Sequence, residues 1–331
     1  MNYPERSLAA RSLPLLVPVL ASLFVFMNSA SSQSTNAAPT NVPTNAPTTA
    51  PTNALSAVVT AAVRATREQF PKLQADQIAI TLTDLRDPAR PLHASHRGDA
   101  AIYPASVIKL FYLAAAHRWL EDGRLADTPE LRRALNDMIV HSSNDATHYV
   151  LDLLTGTTSG PELPEDELKV WQEKRNAVNR YFATLGYVGI NANKKPWGDG
   201  PYGRETQASK AFQPNRNLLT TDATARLLAE IATGQCVTPP RSTAMLALLK
   251  RDPFDAKIRD ANDQAKFTGG ALPPGARLWS KAGWTSRTRH DAAYVEVPDG
   301  RKFILVVFTE GHANERGIIH AVARQVLEEM K

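Results

Sequence analysis

The first strong pattern along the chain is helical: Leu55, Val58, Val59, Ala62 and Val63 recur at the three-and-four spacing that gathers apolar side chains on one helix face. Alternation replaces it over Ile78–Asp84, the period of a strand, and a second short strand is expected at Leu92–His96. Helical spacing then dominates, in Ser106–Leu120, Pro129–Val140, Asp145–Leu154, Val170–Leu185, Thr221–Thr233 and Arg241–Lys250. Strand patterns return at Arg277–Lys281, Asp291–Val297 and Lys302–Thr309, the last two joined by the turn Pro298-Asp299-Gly300, and a helix closes the chain over Glu315–Met330. Strands from both ends with helices between them predict an α/β fold, an antiparallel β-sheet flanked by terminal helices plus an inserted all-helical lobe. Two turn-rich stretches interrupt the helical block, Gly156–Glu165 and Gly189–Asn217. The second carries Trp197, Tyr202 and Phe212, so it is expected to be an ordered loop packed against a site.

The segment ahead of this pattern cannot join a core. Arg6 and Arg11 precede an apolar run from Leu13 to Met27, followed by Ser29, Ala30 and Ser31, which is the layout of a secretory signal peptide over residues 1–30 cleaved near Ala30. Export to the periplasm or the extracellular space is the expectation. The alternative is an uncleaved anchor, but the run is short for a membrane-spanning helix and holds Pro14 and Pro18, so no stable span is expected after cleavage. Residues 31–54 are a Pro/Thr/Asn-rich linker with a ragged four-residue repeat, which leaves residues 55–331 as the catalytic domain.

Composition narrows the function classes. With 331 residues, 43% of them hydrophobic, the chain can bury one large core or two closely packed lobes. A formal charge of +5, with basic residues scattered among acids, argues against nucleic acid as a partner. Cys236 is the sole cysteine, so no internal disulfide forms, and the eight histidines include no HExxH pair. Neither a metal nor a cofactor is expected, and nothing calls for a partner chain, so a monomer is expected.

Ser106 and Lys109 lie three apart at the start of the helix that follows Tyr103-Pro104-Ala105, on one face and within reach of each other. A serine hydroxyl becomes a nucleophile when a base takes its proton, and a buried lysine kept neutral can be that base. The helix start adds N–H groups where an oxyanion would develop. By itself the pair could equally be a helix cap and a solvated lysine. Two further motifs change the weighing: Ser142-Ser143-Asn144 between two helices, and Lys281-Ala282-Gly283 after a strand. S-x-x-K, S-x-N and K-x-G in this order resemble the set of class A β-lactamases and penicillin-binding proteins, penicillin-recognising serine hydrolases. The likeness extends over roughly residues 55–330.

The resemblance implies hydrolysis of a β-lactam, a small cyclic amide, or of a related peptidoglycan substrate. Ser106 would be acylated, with Lys109 as its proton acceptor and Ser142 passing a proton to the leaving nitrogen. Asn144 would hold the substrate amide, and Lys281, Ala282 and Gly283 would bind the substrate on the strand side. The backbone N–H groups of Ser106 and Trp284 would form the oxyanion hole. Glu205 would activate the deacylating water, although it could instead only pin its loop; Glu162, Glu165 and Glu167 read as a solvated insertion. Ala282 stands where the family has a hydroxyl residue, so a substrate carboxylate would lose one hydrogen bond, worth about 1.5–3 kcal/mol. The alternatives are a D,D-peptidase or slow penicillin-binding esterase, and a non-catalytic cell-wall-binding domain of the same fold.

Overall fold

The computed structural model describes residues 51–330. The expected signal peptide, its expected cleavage point and nearly all of the expected linker therefore lie outside the described residues. In chain order the elements are α1 (Pro51–Gln69), β1 (Ile78–Asp84), β2 (Leu92–His96), α2 (Lys109–Glu121), α3 (Pro129–Ile139), α4 (Asn144–Thr155), α5 (Glu165–Arg175) and α6 (Ala177–Thr184). They continue with α7 (Gly203–Ala211), α8 (Thr221–Ala232), α9 (Pro239–Leu249), β3 (Lys250–Arg251), β4 (Arg277–Trp284), β5 (Thr288–Glu296), β6 (Lys302–Glu310) and α10 (Gly317–Glu329). The strands form one antiparallel sheet in the order β2-β1-β6-β5-β4-β3. The first strands of the chain are thus closed onto the last, as the two-ended strand pattern predicts.

Both faces of the sheet are covered, and the two-residue period of β6 shows how. Ile304, Val306 and Phe308 join the core under the helical lobe, with Phe111, Leu113, Leu151 and Leu228. Phe303, Leu305 and Val307 join the opposite core, with Val59 of α1 and Ile318 and Val322 of α10. No helix among the described residues is long and apolar enough to cross a membrane.

Four expectations need correction. The single helix expected over Val170–Leu185 is two, broken at Asn176, and the first begins at Glu165. Glu165, Asp166 and Glu167 occupy its first turn, where carboxylates favour the positive helix end, and Glu165 and Glu167 are exposed there, as a solvated position requires. The loop Gly189–Asn217 contains α7, which carries Glu205. α1 begins at Pro51, inside the stretch read as linker, because proline suits the first helical position. Finally, β3 was not expected: at two residues it is too short to show alternation.

Candidate active site

Ser106 does not open the long helix itself. It sits in a 3-10 turn, Ala105–Ile108, that runs directly into α2. Ala105 just before it has φ of +46°, a left-handed conformation that costs a non-glycine residue about 1–3 kcal/mol and persists only where the surroundings impose it. The surroundings are β4 and β5. A Cβ at Gly283 would lie 2.7 Å from the Ser106 nitrogen and 2.8 Å from the Pro104 oxygen, so only glycine lets the strand backbone approach the turn this closely. His290, opposite Gly283 in the ladder, bonds the Tyr103 carbonyl at 2.9 Å through Nε2. Its Nδ1 accepts the Thr309 N–H at 3.1 Å, which fixes the neutral tautomer with the proton on Nε2. Burial holds this imidazole down at about 4, so it stays neutral across physiological pH. The anchoring role of His290 depends on cross-strand register, which no local pattern reveals.

The second motif divides its work between neighbouring residues. Ser143 is the N-cap of α4, its hydroxyl accepting the Ala146 N–H at 3.1 Å. Ser142 is turned aside, with φ of +55°, and its hydroxyl lies between two lysines: Lys109 Nζ at 3.3 Å and Lys281 Nζ at 3.0 Å. Lys109 Nζ also donates to the Ser142 carbonyl at 2.6 Å and to Asn144 Oδ1 at 2.9 Å. The three motifs therefore converge through side-chain bonds, and the helix cap of α4 is Ser143, which leaves the Ser142 hydroxyl and the Asn144 amide free of that task.

The electrostatics of this cluster are unusual. Lys109 and Lys281 are both fully buried. Among the described residues neither ammonium has a carboxylate within 4.0 Å, and every acceptor is neutral. Desolvation pulls Lys109 down to about 7, and burial reinforced by the nearby Lys109 and Arg251 charges pulls Lys281 well below the ordinary lysine value. A lysine with a value near 7 is partly neutral at physiological pH and can accept a proton.

Gln264 completes the cluster and carries no sequence signal. Its Oε1 accepts from Lys281 Nζ at 2.6 Å and from the Ala282 N–H at 3.2 Å. Its Nε2 donates to the Ile139 and Val140 carbonyls at 3.0 and 2.9 Å, just ahead of Ser142. One side chain thus ties β4 to the end of α3 and sets the gap across which Lys281 meets Ser142.

Ala282, the middle residue of the third motif, faces inward. Its side chain is fully buried in the core shared with α1 and α10, its N–H is taken by Gln264, and its carbonyl accepts from Lys281 Nζ at 2.8 Å. A hydroxyl there would face the core and the cross-strand Asp291. Trp284, one residue beyond Gly283, is 40% exposed with its ring 5.7 Å from that of Phe267.

Glu205 lies apart from the lysine pair, within a network of paired charges. Its Oε1 accepts from Arg175 Nη2 at 2.8 Å and from Ser159 Oγ at 2.9 Å, while Lys195 Nζ bonds Asp152 Oδ2 at 2.7 Å and Ser159 at 2.8 Å. Glu205 Oε2 accepts nothing from the described residues. Glu205 and Tyr103 line a common cavity. Glu162 precedes α5 and is exposed.

Known proteins resemble this chain in family and in fold. The model of the beta-lactamase enzyme family matches residues 126–330. Among solved structures the chain is similar to a β-lactamase from Sphaerobacter thermophilus, at 21% identity and a TM-score of 0.59 over 82% of this chain and 96% of that one. It is also similar to PBP-A, at 18% identity and 0.59 over 83% and 96%, and to a class A β-lactamase from Bacteroides cellulosilyticus, at 15% identity and 0.58 over 82% and 98%. One structure of a PBP-A variant is an acyl-enzyme complex with penicillin G. At these identities the structural likeness speaks for the fold. No curated protein matched the chain.

Proposed function

This chain belongs to the beta-lactamase enzyme family, and from that premise we propose that it opens β-lactam rings through an ester on Ser106. The observation that carries the reading is the Ser142 hydroxyl held between Lys109 and Lys281, with Lys109 brought near neutrality by burial. Neutral Lys109 takes the Ser106 hydroxyl proton as the serine oxygen attacks the lactam carbonyl. The backbone N–H groups of Ser106 and Trp284 receive the oxyanion. As the C–N bond breaks, the proton passes from Lys109 through the Ser142 hydroxyl to the leaving nitrogen, which returns Lys109 to its neutral form. Asn144 gives its Oδ1 to Lys109, which leaves its amide N–H groups for the substrate carbonyl. Lys281 supplies positive potential on the leaving-group side.

Deacylation falls to Glu205 in this reading. With Oε1 fixed by Arg175 and Ser159, Oε2 is left to take a proton from the water that attacks the ester, and as the C–O bond breaks Glu205 returns that proton to the departing Ser106 oxygen, which restores both the carboxylate and the hydroxyl. The same ion pair supports a second reading, in which Glu205 only pins the loop and the ester persists, as in a penicillin-binding protein or slow esterase. Glu205→Gln separates them: a base predicts unchanged acylation and deacylation slowed by about 10²–10⁴-fold, whereas a pin predicts a lower Tm with deacylation unchanged. Export belongs to the reading as well. N-terminal sequencing of secreted protein should begin near Ser31, and membrane-bound protein retaining Met1 contradicts it.

A further inference from the structure

The cavity that Glu205 and Tyr103 share has a volume of about 440 Å³, and its walls also include Lys194, Trp197, Arg216 and Asn217. Three attachments place it beside the proposed nucleophile. Tyr103 precedes Ser106 by three residues, and the Arg216 guanidinium stacks on the Tyr103 ring at 4.1 Å. On the other side His148, one turn beyond Asn144 on α4, bonds the Pro196 carbonyl at 2.6 Å and packs against Trp197. These are the elements of the Asn144 side of the site, where the acyl part of a substrate lies in the reading above.

Most charges around the cavity cancel locally: Arg175 pairs with Glu205, and Lys195 with Asp152. Two cations do not. Lys194 is 7% exposed, and its buried Nζ has no hydrogen-bond acceptor among the described residues. Arg216 is exposed and has no ion pair among the described residues. The backbone of Lys194 is held firmly. Asn217 accepts its N–H at 2.9 Å and donates to its carbonyl at 2.8 Å, and Tyr112 donates to the same carbonyl at 2.8 Å. Burial lowers the Lys194 amine to about 8, which leaves it largely protonated at neutral pH. A buried ammonium without an acceptor is costly, and an anion beside it relieves that cost.

We propose that this cavity is an anion subsite, in which Arg216 and Lys194 pair with a carboxylate carried on the acyl side of the substrate. The proposal rests on acylation of Ser106. A small free anion shares the chemistry, so the test must tell the two sources apart.

The experiment compares acylation rate constants, by intact mass, for a penicillin with an adipoyl side chain ending in a carboxylate and for its terminal amide. The wild-type chain should prefer the carboxylate roughly ten- to a hundredfold, the worth of a charge-assisted hydrogen bond. Arg216→Ala, at an exposed position, and Lys194→Met should each bring the ratio toward one. A merely structural role slows both compounds equally and leaves the ratio intact, which overturns the subsite. A wild-type ratio near one, with acetate raising Tm only while Lys194 is present, assigns the cavity to a free anion and overturns the substrate role. Failure of both compounds to label Ser106 strikes the acyl-enzyme reading itself.

Discussion

Two groups of buried charge in this molecule are built on opposite rules. Around Ser142, Lys109 and Lys281 meet only neutral acceptors, and burial drags both below the ordinary lysine range. Around Ser159, Arg175 and Lys195 each meet a carboxylate, Glu205 and Asp152. Desolvation acts on both groups, but only in the second does a counter-charge offset it. The first group thus carries its desolvation without a counter-charge, at a cost in stability, while the second ties the helix α7 to α4 and α5 through Glu205, Arg175 and Asp152. Burial of a charge says little about its role until its partners are counted.

The sharpest way to break this contrast is to remove one member from each group. Lys109→Met should slow acylation by about 10²–10⁴-fold, the range for losing a general base, while Tm holds or rises because a desolvated amine has gone. Rapid-mixing acylation kinetics together with thermal unfolding check it, and a large loss of Tm with acylation intact would invert the assignment. Arg175→Met should do the reverse. It leaves Glu205 buried without its cation and should cost about 3–5 kcal/mol in unfolding free energy, with the folded fraction still acylated.

Acid gives a smaller effect of known sign. Lys109 has a native value of about 7 against an ordinary 10.5, so below pH 7 it is protonated in both folded and unfolded chains and cannot accept the serine proton. Acylation should fall about tenfold per pH unit below 7 and level off above it. The midpoint observed belongs to the coupled Lys109–Lys281 pair. Between pH 7 and 10.5 the unfolded chain holds a proton that the native chain lacks, so the contribution of this group to stability rises with pH across that window. A pH-independent acylation rate between 5 and 8 contradicts the role given to Lys109.

The smallest effect is expected at Ala282. Because its side chain faces the core, Ala282→Thr should leave kcat/KM for carboxylate-bearing penicillins unchanged within about twofold, and not gain the 1.5–3 kcal/mol that a new bond to a carboxylate provides. A clear gain across several penicillins would place that side chain in the cleft after all.

These sites also show what the sequence makes legible. β1 and β2 are readable to the residue, since alternation over Ile78–Asp84 is a local property. The three motifs are legible because each is short and their order is a property of the chain; their meeting at the Ser142 hydroxyl is a property of the fold. What the sequence hides is long-range. Gln264 and His290 act across contacts of 125 and 187 positions, and no spacing rule links them to Ser142 or Tyr103. α7 is hidden for another reason: a mixed polar helix of nine residues in a glycine- and proline-rich stretch shows no clear apolar face. The inward turn of Ala282 follows strand alternation, since the side chain of the preceding Lys281 reaches Ser142.

The proposed activity requires one covalent bond, between the Ser106 oxygen and an opened β-lactam. Intact mass of the protein with penicillin G, followed over time and mapped to a peptide, measures it directly. A single adduct is expected on the peptide containing Ser106, absent from Ser106→Ala. Label on Ser142 or Ser143, or no adduct at any time, contradicts it.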